Sequence, residues 1–319
     1  MEYRTLGNTG VKVSELCLGS MQFLWTASEQ ASISVLDAFY SAGGNFIDTA
    51  NIYSNWAEGM QGGNAESLIG RWLKSRKVRH KIVLATKVRG KMWEGKNGEG
   101  LGREHIISAC EDSLWRLGVD AIDLYQSHWP DGSVQAEETL AAYKDLVQQG
   151  KVRFIGCSNF SAEEMEKAHM AGEKIGLQYI SNQPRYNLIH RSEFESRDLP
   201  FILKHKMAVL PYSPLAEGFL TGKYKKNSPL PISLRQSAVV KRSMNDSNLE
   251  VVDALAAMAV ESGKTVAQIS LAWVLSHDWI SAPIIGANGV EQLKENLGCS
   301  GFKLSSNQIE RLNVLTANL

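Results

Sequence analysis

Short apolar runs alternate with longer amphipathic stretches along most of the chain. The runs fall at Glu15–Leu18, Asn45–Ile47, Ile82–Ala85, Ile122–Tyr125, Phe154–Ile155, Tyr179–Ile180, Ala208–Pro211 and Ile280–Ile285. Between them lie helical patterns at Glu29–Ala42, Ala65–Leu73, Arg103–Leu117, Ala136–Gln149, Ala162–Ala171 and Phe194–His205. Short buried strands alternating with helices predict a parallel sheet covered by helices. That many strand–helix units favour a closed (β/α)8 TIM barrel of the α/β class over an open sheet. An open dinucleotide-binding sheet wants G-x-G-x-x-G after its first strand, and Gly19-Ser20-Met21 does not supply it. Ahead of the first unit, residues 3–14 alternate around Gly7-Asn8-Thr9-Gly10, which predicts an N-terminal β-hairpin.

Two stretches interrupt the rhythm. Trp93 to Gly102 is glycine-rich and polar, and Pro214 to Asn245 is long and irregular with Pro229 and Pro231 inside it. Both follow strands, so in a barrel both are long loops at the C-terminal face, where binding loops collect. A basic cluster, Arg71, Lys74, Arg76, Lys77, Arg79 and Lys81, reads as cations completing a helix C-terminus on a solvated face. No linker or internal repeat divides the chain, so residues 1–319 are expected to form one domain.

Composition narrows the function classes. With 34 Lys+Arg against 34 Asp+Glu, the formal charge is zero, so no global field favours nucleic acid or an acidic membrane surface. Cys17, Cys110, Cys157 and Cys299 have neither CxxC nor zinc spacing and read as small buried residues of a reducing compartment, with no metal site expected. No run approaches the ~18 apolar residues of a membrane span, and the N-terminus has no signal-like apolar core. A soluble cytoplasmic protein is expected.

The chemistry sits at the strand ends. Gly43-Gly-Asn-Phe-Ile-Asp-Thr-Ala-Asn-Ile-Tyr53 places Asp48 where a buried strand runs out and Tyr53 on the next loop. Taken alone, Asp48 reads equally well as a cap for the next helix and Tyr53 as a half-buried residue, but the following strands add Lys87 and His128 at the same level. A lysine directly after a buried strand needs a counter-charge, and Asp48 is the candidate one strand away. Asp48, Tyr53, Lys87 and His128 thus converge on one side of a barrel. A cation beside a phenol lowers its pKa from about 10, so the four side chains together read as an acid–base centre.

At these residues the sequence resembles the aldo-keto reductase superfamily over essentially its whole length. The resemblance is carried by Gly43–Tyr53, Ala85-Thr-Lys-Val88, Ser113-Leu-Trp-Arg-Leu-Gly118, Ile122-Asp-Leu-Tyr-Gln-Ser-His128, Val152-Arg-Phe-Ile-Gly-Cys-Ser-Asn159 and Tyr212-Ser-Pro-Leu215. It is most similar to the bacterial and potassium-channel β-subunit-like branch, on Tyr212–Tyr224 and Ile285–Asn296. The resemblance implies an NAD(P)H-dependent reductase of aldehydes and ketones: Tyr53 the acid, Lys87 and Asp48 its tuning pair, His128 the orienting group. It implies that Ser158, Asn159 and Gln183 hold the nicotinamide carboxamide and that Tyr212 stacks on the ring. It places Ser213, Leu215, Gly218 and Lys223 along the diphosphate, with Pro214 and Arg235 as further cofactor contacts, and Gly286, Asn288, Gln292, Glu295 and Asn296 at the adenosine. The plain alternative makes Ser158-Asn159 a helix N-cap and Tyr212 a core residue.

Ile284–Leu293 carries no cation for a 2′-phosphate, so Lys223 and Arg235 are the substitutes, and NADP is expected ahead of NAD. Met21, Trp25, Trp56, Trp93 and Trp129 are the candidate substrate wall, with Glu58, Arg89 and Arg185 as polar additions. The rival reading is a cofactor-binding, redox-sensing partner protein with slow, incidental turnover. A Schiff-base barrel built on Lys87 leaves the Ser158-Asn159, Gln183 and 286–296 motifs without a purpose. The sequence does not select an oligomeric state or one carbonyl substrate.

Overall fold

The computed structural model describes every residue except Asn227 and Asn318. The hairpin pairs β1 (Tyr3–Thr5) with β2 (Lys12–Ser14) antiparallel. The strands β3 (Cys17–Gly19), β4 (Phe46–Asp48), β5 (Val83–Val88), β6 (Ile122–Ser127), β7 (Val152–Ser158), β8 (Tyr179–Gln183), β9 (Ala208–Val209) and β10 (Ile284–Ile285) form one parallel sheet, ordered β10-β3-β4-β5-β6-β7-β8-β9. The sheet closes on itself: Val209 bridges Ile280, and Ile284 N donates to Pro211 O at 2.7 Å. Closure removes both edges and sets the strand ends in a ring.

Helices follow the strands: α1 (Glu29–Ser41), α2 (Asn64–Arg76), α3 (Arg103–Leu117), α4 (Ala136–Gln148), α5 (Ala162–Glu173), α6 (Leu199–Lys204), α7 (Gln236–Ser243), α8 (Asp246–Ser262), α9 (Val266–Leu275), α10 (Val290–Leu297) and α11 (Ser306–Leu315). The helix expected at Phe194–His205 begins as a wide turn, Phe194–Asp198, and α6 starts at its end with Pro200 in the first turn, where a missing N–H costs nothing. The segment Pro214–Asn245 is less irregular than its prolines suggest, because it holds a turn at Ala216–Thr221 and all of α7. In the basic cluster, Arg76 pairs with Asp37 at 2.7 Å and Arg79 with Asp123 at 2.8 Å, while Lys77 caps α2 with a left-handed φ of 56°.

Two apolar layers follow from the period-two alternation of strand side chains. One set, including Ile47, Leu84 and Ile155, packs outward under the helices. The other, including Cys17, Phe46, Ala85, Leu124, Ala208 and Ile284, fills the barrel, together with Leu6 and Val13 of the hairpin. The hairpin is therefore a plug. Gly7 (φ 54°), in the hairpin's turn, lies against the barrel so closely that a Cβ would come within 2.8 Å of Ile180 O. Counting two residues up from Phe46, Ala85 and Leu124 along the same inward face gives Asp48, Lys87 and Gln126, the polar layer that caps the filled core.

Outside the barrel, the fully buried Glu66 of α2 accepts from Thr86 Oγ1 at 2.6 Å and Arg116 Nε at 2.7 Å, tying α2 to β5 and α3. Arg116→Ala strands that carboxylate. The expected loss is about 3–5 kcal/mol, read as a lower urea midpoint with little change in slope.

Candidate active site

Lys87 is 0% exposed, and its ammonium has three donors. All three are used: Asp48 Oδ2 at 2.5 Å, Thr49 O at 2.9 Å and Tyr53 Oη at 3.1 Å. Burial pulls the lysine pKa down, Asp48 and Tyr53 push it up, and the pair wins, so the group is held above its ordinary value and remains a cation. Since an ammonium only donates, Tyr53 must accept from it, and the phenol's own hydrogen is left free. Burial raises the Tyr53 pKa, with Lys87 pulling it back and Asp48 adding to the rise. The lysine does not overcome burial, contrary to the simple expectation of a lowered phenol. Tyr53 therefore carries its proton at neutral pH and lines the central cavity.

Asp48 does not cap a helix. The N-cap of α2 is Gly63, fifteen residues downstream, and Asp48 is 2% exposed at the end of β4. Its Oδ1 accepts from Gln126 Nε2 at 3.1 Å and from Gln183 Nε2 at 3.0 Å. His128, one inward step beyond Gln126, stands beside Tyr53 with ring centroids 5.9 Å apart. Burial, then the Lys87 charge, holds its pKa well below 6.5, so the imidazole is neutral, and its Nδ1 is buried without a partner among the described residues.

The cavity above these groups has a volume of about 390 Å³ and opens at the C-terminal ends of the strands. Its walls include Tyr53, His128, Met21, Trp56 and Trp129 from one side, and Ser158, Asn159, Gln183 and Tyr212 from another. Ser213, Pro214, Leu215, Gly218, Lys223 and Arg235 line it along the long loop, and Gly286, Asn288 and Gln292 at the far end. Ser158 and Asn159 are not a helix cap, since Ser161 caps α5 in a reciprocal box with Glu164. Ser158 Oγ donates to Gln183 O at 2.8 Å, and Asn159 Oδ1 accepts from Tyr212 Oη at 2.7 Å.

Other candidates lie elsewhere. Trp93 packs on His105 of α3 at 5.0 Å, away from the cavity. Trp25 stands behind Trp56, edge to face at 5.7 Å, beneath the Arg235 guanidinium at 5.0 Å. Asn296 is buried behind the wall, donating to Gly286 O at 3.3 Å, and the Glu295 side chain faces solvent. Glu58 is exposed, Arg89 lies over Trp129 at 5.1 Å, and Arg185 pairs with Glu217 at 3.7 Å. Sequence reasoning missed Gln126, although its alternation with Leu124 and His128 marks it as inward. It also missed Gln22, whose amide lies against Gly286 so closely that a Cβ there would sit 1.9 Å from it. No local pattern signals that contact.

The cations of the long loop suit an anionic ligand. Lys223 and Arg235 form no ion pair within 4.0 Å among the described residues, Arg235 Nη2 is buried without a partner, and both pKa values are lowered, by burial first. Beside them the chain turns through Ala216, Glu217 and Gly218 with left-handed φ of 48°, 58° and 98°, and Ala216 N donates to Ser213 O and Gly218 N to Leu215 O, both at 2.9 Å.

A closed barrel with a buried acid–base centre at its C-terminal rim defines a class of barrel oxidoreductases. Residues 15–317 match the aldo/keto reductase family, and the chain belongs to it. An uncharacterized oxidoreductase of Bacillus subtilis, YrpG, is 35% identical over 98% of this chain and 95% of its own. A probable voltage-gated potassium channel subunit beta of Arabidopsis thaliana is 34% identical over 93% and 90%. The L-glyceraldehyde 3-phosphate reductase of Escherichia coli K12 is 30% identical over 93% and 87%. Among the described residues, no helix is long and apolar enough to cross a membrane, and no cluster of three or more metal-type ligands occurs.

The neutral His128 has a directional consequence. A histidine with a lowered folded pKa leaves the native state with fewer protons than the unfolded chain, so stability falls as pH drops below about 6.5. In an NMR titration the His128 ring should keep its neutral-form shifts at pH 6, and His128→Asn should flatten the loss of stability between pH 6.5 and 5. A His128 midpoint near 6.5 would contradict the site electrostatics.

Proposed function

We propose that this chain, acting as one barrel domain, is an NADP-dependent reductase that converts aldehydes and ketones to alcohols, with Tyr53 as the proton donor. The observation that carries this is the direction of the hydrogen bond: Lys87 Nζ donates to Tyr53 Oη at 3.1 Å, which aims the phenol proton at the cavity. The reduced nicotinamide, when bound, supplies the hydride. The chain's own residues do the rest. As negative charge grows on the carbonyl oxygen, Tyr53 transfers its proton, and the phenolate left behind is stabilised by the fixed Lys87 cation in a water-poor site. His128, being neutral, serves as a hydrogen-bond donor that orients the oxygen, not as a competing acid. Asp48 holds Lys87 in place and supports its charge.

Ser158, Asn159 and Gln183 suit a carboxamide, the face of Tyr212 suits a planar ring, and Lys223 with Arg235 suits phosphate. The residues Thr26, Asn288 and Gln292 at the far end are neutral and hydrogen-bonded together, with Thr26 Oγ1 donating to Asn288 Oδ1 at 2.7 Å. The preference for NADP therefore rests on Lys223 and Arg235. The wall of Trp56 and Trp129 suits apolar or aromatic carbonyl compounds, and the E. coli relative adds a phosphorylated aldehyde to the substrates worth testing. A second reading, a cofactor-binding partner protein with slow turnover, is supported by the relatives named as probable channel β subunits.

Two measurements test the proposal. In Tyr53→Phe, NADPH oxidation with a panel of aromatic, dicarbonyl and sugar aldehydes should fall by about 10²–10⁴, while NADPH affinity stays within a few-fold. Turnover at wild-type rate would remove Tyr53 from the role, and tight binding with negligible wild-type turnover on every carbonyl would favour the partner reading. Arg235→Gln should weaken NADPH binding about tenfold or more and reduce its salt dependence. Unchanged affinity would leave NADP selectivity without its cation.

A further inference from the structure

Asp48, Gln126 and Gln183 form a buried triangle whose hydrogen bonds run in one direction. Gln126 is 0% exposed and Gln183 3%. Gln183 Nε2 donates to Asp48 Oδ1 at 3.0 Å and to Gln126 Oε1 at 3.4 Å, and Gln126 Nε2 donates to Asp48 Oδ1 at 3.1 Å. Amide orientations are assigned from the network around them, and this network admits only one. The carboxylate facing Lys87 only accepts, so each glutamine must turn its NH2 toward Asp48. Gln126 then has its oxygen left to receive the second N–H of Gln183. With both its N–H groups spent inward, Gln183 presents Oε1 to the cavity as a pure acceptor.

We propose that Gln126 is a positioning residue that sets the direction of the Gln183 amide, so that Gln183 reads an N–H donor on the ligand, such as the NH2 of a carboxamide. This rests on the proposed nicotinamide cofactor and deepens it, because it assigns the orientation of the holding group to a residue that does not itself line the cavity. Without Gln126, one Gln183 N–H is unpaired. Only the Asp48 bond then opposes rotation of the amide, and the acceptor face is presented for a smaller fraction of the time. The penalty falls on ligands that offer the carboxamide and on no others. The same triangle links the proton-donating pair to the carboxamide holder through the two oxygens of Asp48, Oδ2 serving Lys87 and Oδ1 the two glutamines.

The test is nucleotide affinity measured by fluorescence or calorimetric titration, with NADPH and with 2′-phospho-ADP-ribose, which lacks the nicotinamide. Gln126→Met retains the side-chain length and removes both polar atoms, so the barrel stays filled. It should weaken NADPH about five- to tenfold, as expected for one lost net hydrogen bond, and leave 2′-phospho-ADP-ribose unchanged. In a Gln183→Leu background the same substitution should add nothing further. Equal weakening of both nucleotides, full retention of NADPH affinity, or an undiminished effect in the Gln183→Leu background would each overturn the proposal. A wild type that binds neither nucleotide would overturn the cofactor reading itself, a separate and recognisable failure.

Discussion

Everything at the rim of this barrel depends on one buried cation whose donors are all spoken for. An ammonium in a site with no solvent exposure is tolerable only when each N–H has an oxygen, and Lys87 has Asp48, Thr49 and Tyr53. The three come from one short stretch of chain at the end of β4, which lies next to β5 in the sheet. Parallel pairing of adjacent strands thus builds the centre, and barrel closure keeps water from it. Asp48 neutralises the lysine, and the lysine's separate bond to Tyr53 fixes which way the tyrosine can donate.

That constraint explains why the layer below is apolar and the layer above polar. Phe46, Ala85 and Leu124 fill the barrel beneath, where no polar atom would find a partner. Two residues further along each strand, the inward positions become Asp48, Lys87 and Gln126, which satisfy one another and Gln183. A sheet with side-chain period two can switch from core to chemistry within one step, and it does so at the same level on several strands. The opposite end of the barrel is closed by the hairpin, which leaves the C-terminal rim as the open face.

The side of the cavity proposed for the nucleotide is organised differently. Its cations, Lys223 and Arg235, come from a long loop, and Arg235 is held over Trp25 by stacking, not by an acid. A buried guanidinium nitrogen with no partner among the described residues is costly and suits a phosphate-bearing ligand. Glu217, bonded to Arg242 at 3.2 Å and facing Arg185, ties that loop to the rest of the rim.

Much of this was legible in the residues themselves. The alternation of buried runs and helical patterns carried the barrel, because burial on both faces makes parallel strands uniformly apolar. Asp48, Lys87 and His128 stood out together, because each polar side chain follows a buried run on a neighbouring strand, whereas any one of them alone has a structural reading. What the sequence left open was decided by contacts between residues distant along the chain. Trp25 and Trp93 share the composition of a substrate wall with Trp56 and Trp129, yet one lies under Arg235 and the other against His105. Ser158-Asn159 has the residue types of a helix cap as well as of a carboxamide holder, and Ser161 takes the cap position. The direction of the Gln183 amide depends on Gln126 and Asp48, 57 and 135 residues away. Local pattern determines which face of a strand a residue occupies; only closure of the barrel decides which residues meet across it, because hydrogen-bond partners are chosen by distance in space.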